Sequence, residues 1–361
     1  MRFDVRILKP SDPDWATLLA RASYDCYHES AYVNLEAMRL KGGSLAVVVE
    51  NSGSFMMLPL VVRGLPPLLG SELACYSDAI SPYGYPGFLL CGDKSHEEAW
   101  LMGACQAMLD ALRREGICSV FVRSHTFLTQ PMAALAELGT LVDHGETVWL
   151  DLTKSDEEYW GELRTNHRRI IRRLKKMGVN VHLDATWQSL DEFVEIYHQT
   201  MRDVHAQDSY YFDRRYFDNL RSALGENVHL CNVRIGDELV AGGLFLERDG
   251  LVQYHLGATA TLHRKLAPSR LMFDFMRDWA RRRGHTHFHL GGGVGGHVDS
   301  LFHFKAGFSP LRARFFTWRV VIDSVTYDAA SSRWEEIYSV PGDEPTGFFP
   351  CYRMPVITTG P

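Results

Sequence analysis

Long apolar runs are missing from this chain of 361 residues. No stretch approaches the roughly 20 consecutive apolar residues that a membrane-spanning helix needs. The first ten residues mix charged and apolar positions, unlike a signal peptide. These two absences predict a cytoplasmic protein without a membrane span.

Several catalytic and redox motifs are missing as well. The seven cysteines form no C-x-x-C pair, which argues against zinc-ribbon and thiol-redox sites. There is no G-x-S-x-G nucleophile elbow, no P-loop and no dinucleotide-binding glycine spacing. The net charge of −6 excludes a generic nucleic-acid binder, although a local basic patch remains possible. We therefore expect a globular protein with no permanently bound cofactor.

The most unusual stretch that is present runs from Arg281 to Phe308. A predicted short strand leads into Gly-Gly-Gly-Val-Gly-Gly at residues 291–296, and a short predicted helix ends at Phe304-Lys305. Glycines suit positions where the backbone approaches a ligand or takes positive φ. We expect Gly292 and Gly293 to border a substrate, with Lys305 facing it.

The length and the order of predicted elements indicate two domains. Each half reads as two helices, a hairpin, a strand, a helix and a strand, and similar helix-to-strand joints end at Gly116 and Gly284. We predict an α/β (α+β) fold with mixed sheets flanked by helices and a cleft between two similar domains. The predicted domains are residues 1–152 and 153–325, with a helix and tail at 326–361 that pack back on the body.

A strongly basic helix is predicted between the halves, from Ser155 to Met177, opened by a capping box at Ser155 and Glu158. Its apolar residues share one face. The other face carries a run of cations without acids, which could hold RNA or pyrophosphate phosphates or could simply be solvated. The residues predicted to bind donor phosphates are Arg168, Arg169, Arg172, Arg173 and Lys176.

Three motifs together make the chain resemble the Fem-type (FemAB/FemX-like) branch of the GNAT acyltransferase superfamily and the BioF2-like acetyltransferase domain. They are the basic helix ending in Gly178-Val179, the segment Tyr254 to Ala258 followed by Leu266-Ala-Pro-Ser269, and the glycine turn followed by Phe304-Lys305. The resemblance is close over residues 160–310. His289 stands where the family often has Asp, and the coiled-coil arm of some peptidoglycan-bridge members is missing.

The resemblance implies tandem GNAT-like domains and transfer of an acyl group to an amine. It implies that Lys305 stabilises the developing oxyanion and that Tyr254 positions the carbonyl. The structural alternatives are a surface lysine and a half-buried strand tyrosine. By position in the chain, further substrate-binding candidates are Asp78, Tyr83, Tyr85, Asp208 and Tyr211; packing and helix capping are the alternatives.

Alternating histidines at 285, 287 and 289 would share one strand face. Thiol or carboxylate partners at metal spacing are missing, so we predict no metal site. One of the nearby histidines could instead be a general base, but the sequence does not single one out.

The function that these residues favour is transfer of an aminoacyl group from aminoacyl-tRNA to the amine of a small peptide, nucleotide-linked molecule or metabolite. An acyl-CoA-dependent N-acyltransferase is the alternative, because coenzyme A also carries a pyrophosphate. A non-catalytic GNAT-like binding protein is a further alternative.

Overall fold

The structure is a computed structural model that describes residues 1–338 and 347–355. The chain forms two compact units. Unit 1 comprises the described residues of Met1–Asp143 and Phe315–Pro361, and unit 2 comprises His144–Arg314. Within the described part of the chain, every helix is too short or too polar to span a bilayer.

Unit 1 begins with a mixed sheet and four helices. The strands are β1 (Asp4–Leu8), β2 (Gly43–Asn51), β3 (Ser54–Gly64), β4 (Ser77–Ile80), β5 (Leu89–Cys91) and β6 (Ile117–Arg123), and the helices are α1 (Pro13–Leu19), α2 (Ser30–Arg39), α3 (Glu98–Arg114) and α4 (Met132–Leu138). Neighbouring strands follow the order β1-β2-β3-β4-β6, and β5 pairs with β3. Only β4 and β6 among these pairs are parallel.

Helix α3 provides the crossover between the parallel strands of unit 1. Trp100, Ala104, Met108 and Leu112 recur every four residues, so they form one buried face against the sheet. The helix ends before Gly116, which takes φ of 71°, and β6 follows at once. This is the stop signal that the sequence predicts.

Unit 2 has the same construction. Its strands are β7 (Thr140–Asp151), β8 (Asn180–Leu183), β9 (Val228–Ile235), β10 (Glu238–Arg248), β11 (Leu251–Thr259) and β12 (His287–Gly291). Its helices are α5 (Asp156–Glu162), α6 (Thr165–Lys176), α7 (Leu190–Asp203), α8 (Arg214–Leu224), α9 (Ser269–Arg282) and α10 (Ser300–Lys305). The strand order is β7-β12-β11-β10-β9-β8. Strands β11 and β12 are the parallel pair, with α9 between them in sequence.

The chain then returns to unit 1 through β13 (Arg312–Val321) and α11 (Ser324–Tyr338). Strand β13 pairs with β6, so residues from Phe315 onward belong to unit 1. The limits of the two units differ from the predicted domain boundaries at 152/153 and 325/326, which stay a prediction. Tyr352 in the tail is buried in a cluster with Cys118 and Trp334.

The predicted extent of the basic helix is wrong. It is two helices, because Leu163 and Arg164 are extended and the backbone N–H of Arg164 donates to the Gly307 carbonyl at 2.9 Å. The capping box at Ser155 and Glu158 is confirmed.

Candidate functional site

The glycine turn follows β12 in unit 2 and takes the backbone conformations that favour glycine. Gly291, Gly295 and Gly296 have φ of 77°, 62° and 85°. A Cβ on Gly293 would clash with the His297 carbonyl oxygen. Asp299 ties the turn to α10: its carboxylate accepts from the backbone N–H of Val294 at 3.0 Å and, as the N-cap, from Phe302 at 2.8 Å. The turn is therefore an ordered structure.

Lys305 is the last residue of α10, and its side chain returns to this turn. It is only 6% exposed, and its Nζ donates to the Gly292 carbonyl at 2.7 Å. Burial lowers the pKa of Lys305 to about 8, against the opposing effect of Asp299. An ammonium has three donors. Among the described residues, the Gly292 carbonyl is the acceptor for this ammonium. The remaining N–H donors of Lys305 can therefore bind a ligand oxygen.

Tyr254 lies beside this ammonium. The Nζ of Lys305 is 5.7 Å from the centre of the Tyr254 ring. That ring packs edge-on against Phe273, with centroids 4.7 Å apart. Burial raises the pKa of Tyr254, so the phenol keeps its proton and can donate. A Cβ on Gly257 would clash with the Tyr254 hydroxyl. The structure thus brings together Lys305, Tyr254 and Gly292.

The predicted phosphate-binding cations line one open groove of about 900 Å³ in unit 2. Its lining residues are Trp160, Gly161, Thr165, Arg168, Arg169, Arg172, Arg173, Lys176 and Met177. No acid is among them. The Arg172 guanidinium lies 5.4 Å from the centre of the Trp160 ring. Lys175 is not among the lining residues: its Nζ lies 5.5 Å from the centre of the same Trp160 ring and pairs with Asp274 at 2.7 Å.

Sequence analysis missed two polar side chains next to the Phe304-Lys305 motif. His167 donates from Nε2 to the Phe304 carbonyl at 3.0 Å, and Arg270 lies over the Phe304 ring at 5.3 Å. Burial, followed by the nearby Arg270, lowers the pKa of His167 to about 4, so it is neutral at pH 7. Within the described residues, Nδ1 of His167 and Nε of Arg270 are buried without a hydrogen-bond partner. One sequence signal could have pointed to His167, because it lies within the basic-helix motif.

The alternating histidines do not form one cluster. His285 precedes β12 and pairs with Glu247 at 2.6 Å, whereas His287 stacks on Trp149 and His289 bonds Gln253 at 2.6 Å. Among residues 1–338 and 347–355, no group of three or more His, Cys, Asp or Glu side chains is arranged to hold a metal ion.

The remaining predicted residues lie in other places. In unit 1, Asp78 is fully buried and paired with Arg63 and Arg353. Tyr83 and Tyr85 are partly buried in the loop after β4, where Tyr85 packs on Phe315 with centroids 5.0 Å apart.

In unit 2, the turn between α7 and α8 holds the last two. Asp208 is exposed there, and the Tyr211 ring lies 6.0 Å from that of His198 on α7. Their roles in substrate binding stay predictions.

Comparison with known proteins identifies the domain that carries this geometry. Residues 161–305 match the family described as acetyltransferase (GNAT) domain. This region, which contains the glycine turn, Tyr254 and Lys305, is therefore similar to a GNAT acetyltransferase domain. Lys305 is the last residue of the matched GNAT region. No curated protein matches the chain in sequence.

The fold of the whole chain is similar to that of FemX, with a TM-score of 0.66 at 16% identity, covering 90% of this chain and 99% of FemX. The structure of L-PGS from Bacillus licheniformis gives 0.56 at 14% identity, covering 87% and 93%. The C-terminal domain of a putative lysylphosphatidylglycerol synthetase from Agrobacterium fabrum also gives 0.56 at 14%, covering 92% and 98%. The chain thus has a fold similar to that of FemX, and the predicted fold class is confirmed.

Proposed function

We propose that the protein transfers an aminoacyl group from aminoacyl-tRNA to the amine of a small peptide, nucleotide-linked molecule or metabolite. The observation that carries the proposal is the buried Lys305 ammonium beside the glycine turn, hydrogen-bonded to Gly292. A buried cation with unused donors needs an anionic or strongly polar partner. The oxyanion of an acyl-transfer intermediate is such a partner.

The proposed reaction uses this arrangement in two stages, addition and collapse. The lone pair of a neutral amine attacks the ester carbonyl, and the carbonyl oxygen gains negative charge as the C–N bond forms. Lys305 donates to that oxygen. The intermediate then collapses, the ester C–O bond breaks, the amine loses a proton and the leaving oxygen takes one up. A pKa of about 8 keeps Lys305 protonated at neutral pH, as this role requires.

Tyr254 has a positioning role in this proposal. Its phenol stays protonated because burial raises its pKa, and its ring lies against the Lys305 side chain. A protonated phenol donates to a carbonyl or accepts from an amine. We assign it to orienting the acyl carbonyl next to the ammonium.

The basic groove supports a donor with several phosphates. Five cationic side chains line one open surface of about 900 Å³ with no acid among the lining residues. Nucleic-acid backbones bind through such surfaces, with affinity that falls steeply with salt. One of the structures with the same fold bears the name of a putative lysylphosphatidylglycerol synthetase, whose product carries a lysyl group. Because charged tRNAs occur in the cytoplasm, this donor is consistent with the predicted cytoplasmic location of the protein.

An acyl-CoA donor is the second candidate, and the match of residues 161–305 to an acetyltransferase (GNAT) domain favours it. Coenzyme A offers a pyrophosphate and a 3′-phosphate to the same groove. The chemistry at Lys305 is then unchanged except that a thiol leaves instead of an alcohol.

A transfer assay tests the function and separates the donors. The protein is incubated with a mixture of radiolabelled aminoacyl-tRNAs or with radiolabelled acetyl-CoA, and hydroxylamine is the acceptor. Hydroxylamine also cleaves both donors slowly on its own, so the rate without protein is subtracted. We expect protein-dependent label in the hydroxamate from the tRNA pool, with a rate that drops steeply between about 50 and 200 mM salt. Label from acetyl-CoA alone would favour the second candidate, and label from neither would contradict both.

A further inference from the structure

Unit 1 contains a cavity that the acyl-transfer site does not use. Its volume is about 490 Å³, and residues of β3, β4, β6 and β13 line it. Four arginines line it: Arg63, Arg123, Arg319 and Arg353. The rest of the lining is largely aromatic and apolar. Helix α11 and the tail residues 347–354 supply the outer wall.

Two of the arginines are held in place by one buried carboxylate. Asp78 is fully buried; one oxygen pairs with Arg63 at 2.6 Å and the other with Arg353. Arg353 also donates to the Gly64 carbonyl at 2.6 Å. Burial lowers the pKa of Arg63, and the charge of Arg353 lowers it further in spite of Asp78. One buried carboxylate thus holds two guanidinium groups in place, and its attraction for Arg63 outweighs the repulsion from Arg353.

The other two arginines lie on β6 and β13. Arg123 donates to the Ser81 carbonyl at 3.3 Å, a long hydrogen bond, and its guanidinium lies over the Phe121 ring at 5.0 Å. Nε of Arg319 is buried without a hydrogen-bond partner among the described residues. Burial lowers the pKa of Arg319. A buried guanidinium nitrogen with no acceptor costs free energy unless something else supplies one.

Flat rings surround these cations. Phe121 and Phe349 are stacked with centroids 6.5 Å apart, and Trp334 and Tyr338 complete the wall from α11. Guanidinium groups bind phosphate and carboxylate through paired donors, and aromatic walls bind planar apolar groups. Both kinds of surface meet in one cavity of small-molecule size.

We propose that unit 1 holds a binding site for a small anion that also carries a flat ring, with its phosphate or carboxylate group on Arg123 and Arg319 and its ring against Phe121 and Phe349. Asp78 acts as a positioning residue for Arg63 and Arg353. The site stands on unit 1 alone and does not depend on the proposed transfer reaction.

Calorimetric titration of the full-length protein with four simple probes tests this. The probes are phenyl phosphate, benzoate, inorganic phosphate and neutral benzyl alcohol. We expect saturable binding of phenyl phosphate or benzoate, at least tenfold tighter than inorganic phosphate or benzyl alcohol. The tighter of the first two identifies the anion. Equal binding of phenyl phosphate and inorganic phosphate, or no saturable binding of either ring-bearing anion, would overturn the proposal.

Variants locate the bound probe. Arg319→Met should weaken binding at least tenfold, whereas the control Arg333→Met, on the exposed side of α11, should leave it unchanged. The Arg172→Met/Arg173→Met double variant in the unit 2 groove should also leave it unchanged. Loss of binding in that variant, with Arg319→Met unaffected, would assign the probe to unit 2 and overturn the proposal.

A second pair of variants tests the site if the Arg319→Met protein does not fold. Leu68 lines the cavity at its rim and is 50% exposed, so Leu68→Glu adds a negative charge without disturbing the core. It should weaken anion binding about tenfold, and Leu262→Glu on the surface of unit 2 should not. Equal affinities in the two variants would contradict the site.

Discussion

The two units contain the same strand, turn and helix in equivalent order, but they close the turn differently. In unit 1, β6 leads to α4 through a turn that side chains fill. Nδ1 of His125 accepts from the backbone N–H groups of Phe127 and Leu128 at 3.0 and 2.8 Å, and the Gln130 amide donates to the Phe88 carbonyl at 3.0 Å. The turn therefore satisfies its own backbone.

In unit 2, β12 leads to α10 through glycines, and the side chains of Lys305 and Asp299 both reach this turn. Asp299 accepts from the backbone of the turn and of α10, whereas Lys305 donates to the Gly292 carbonyl. In unit 1 the side chains at the turn bond to the protein backbone, whereas in unit 2 the Lys305 ammonium bonds to one carbonyl and keeps N–H donors for a ligand. The difference lies in which side chains fill the turn, so activity should depend on unit 2.

The largest effect is expected from a substitution that removes the difference between the two turns. Lys305→Met removes the ammonium from the unit 2 turn, and we expect the transfer rate constant to fall about 10²–10³-fold, the usual effect of losing one oxyanion donor. Donor affinity should be preserved. Single-turnover kinetics with labelled donor measures both. Lys9→Met, an exposed lysine of unit 1, is the matched control; equal losses in the two variants would contradict the role of Lys305.

The next effect contrasts the arginines of the two units. Those at the unit 1 cavity are partly neutralised by Asp78, whereas the groove cations of unit 2 have no acid among the lining residues. Arg172→Gln/Arg173→Gln should raise the KM for an RNA donor about 10–100-fold. The slope of log affinity against log salt should become shallower by about 0.7–0.9 for each phosphate that the variant no longer neutralises.

The control for the groove is Arg215→Gln, an exposed arginine on α8. Donor binding measured from about 50 to 200 mM salt distinguishes the variants. An unchanged salt slope in the double variant would show that the groove does not hold the donor.

A smaller effect sharpens the contrast between the turns. Gly293→Ala places a methyl group against the His297 carbonyl, so the turn must shift. We expect about a tenfold loss of transfer rate and a modest drop in melting temperature. Gly43→Ala in unit 1 is the control, because its added methyl group has no atom within 4 Å. Activity of both variants at the wild-type level would mean that the turn geometry does not matter.

The smallest effect is on stability. Burial lowers the folded-state pKa of Lys305 from 10.5 to about 8, so its charged form destabilises the fold below pH 8 and this cost disappears as pH rises towards 10.5. Lys305→Met should therefore be about 1–3 kcal/mol more stable than wild type at pH 7, with a gap that closes between pH 8 and 10.5.

Denaturant unfolding at several pH values measures this gap. A constant difference across that range would indicate that the lysine has an ordinary pKa and is not buried as a cation.

Much of the fold could be predicted from sequence because it depends on local signals. Glycine stops at 116 and 284, the hairpin of β9 and β10, and the capping box at Ser155 all appear as predicted. The break at Leu163 and Arg164 could not be predicted, since it exists for a hydrogen bond to Gly307, far along the chain.

Contacts between distant residues also limit what could be predicted for single residues. Sequence patterns could identify Lys305 and the basic residues of α6. They could not predict that Asp78 is a buried partner of Arg63 and Arg353, because Arg353 lies 275 positions away from Asp78.

One measurement tests the central claim most directly. It is a crystal structure of the protein with a non-reactive donor analogue whose acyl carbonyl is held by an amide in place of the ester. We predict that the acyl carbonyl oxygen lies about 2.7–3.1 Å from Nζ of Lys305, the distance expected of an oxyanion donor. A bound analogue whose carbonyl lies far from Lys305, with that ammonium still bonded only to Gly292, would contradict the account.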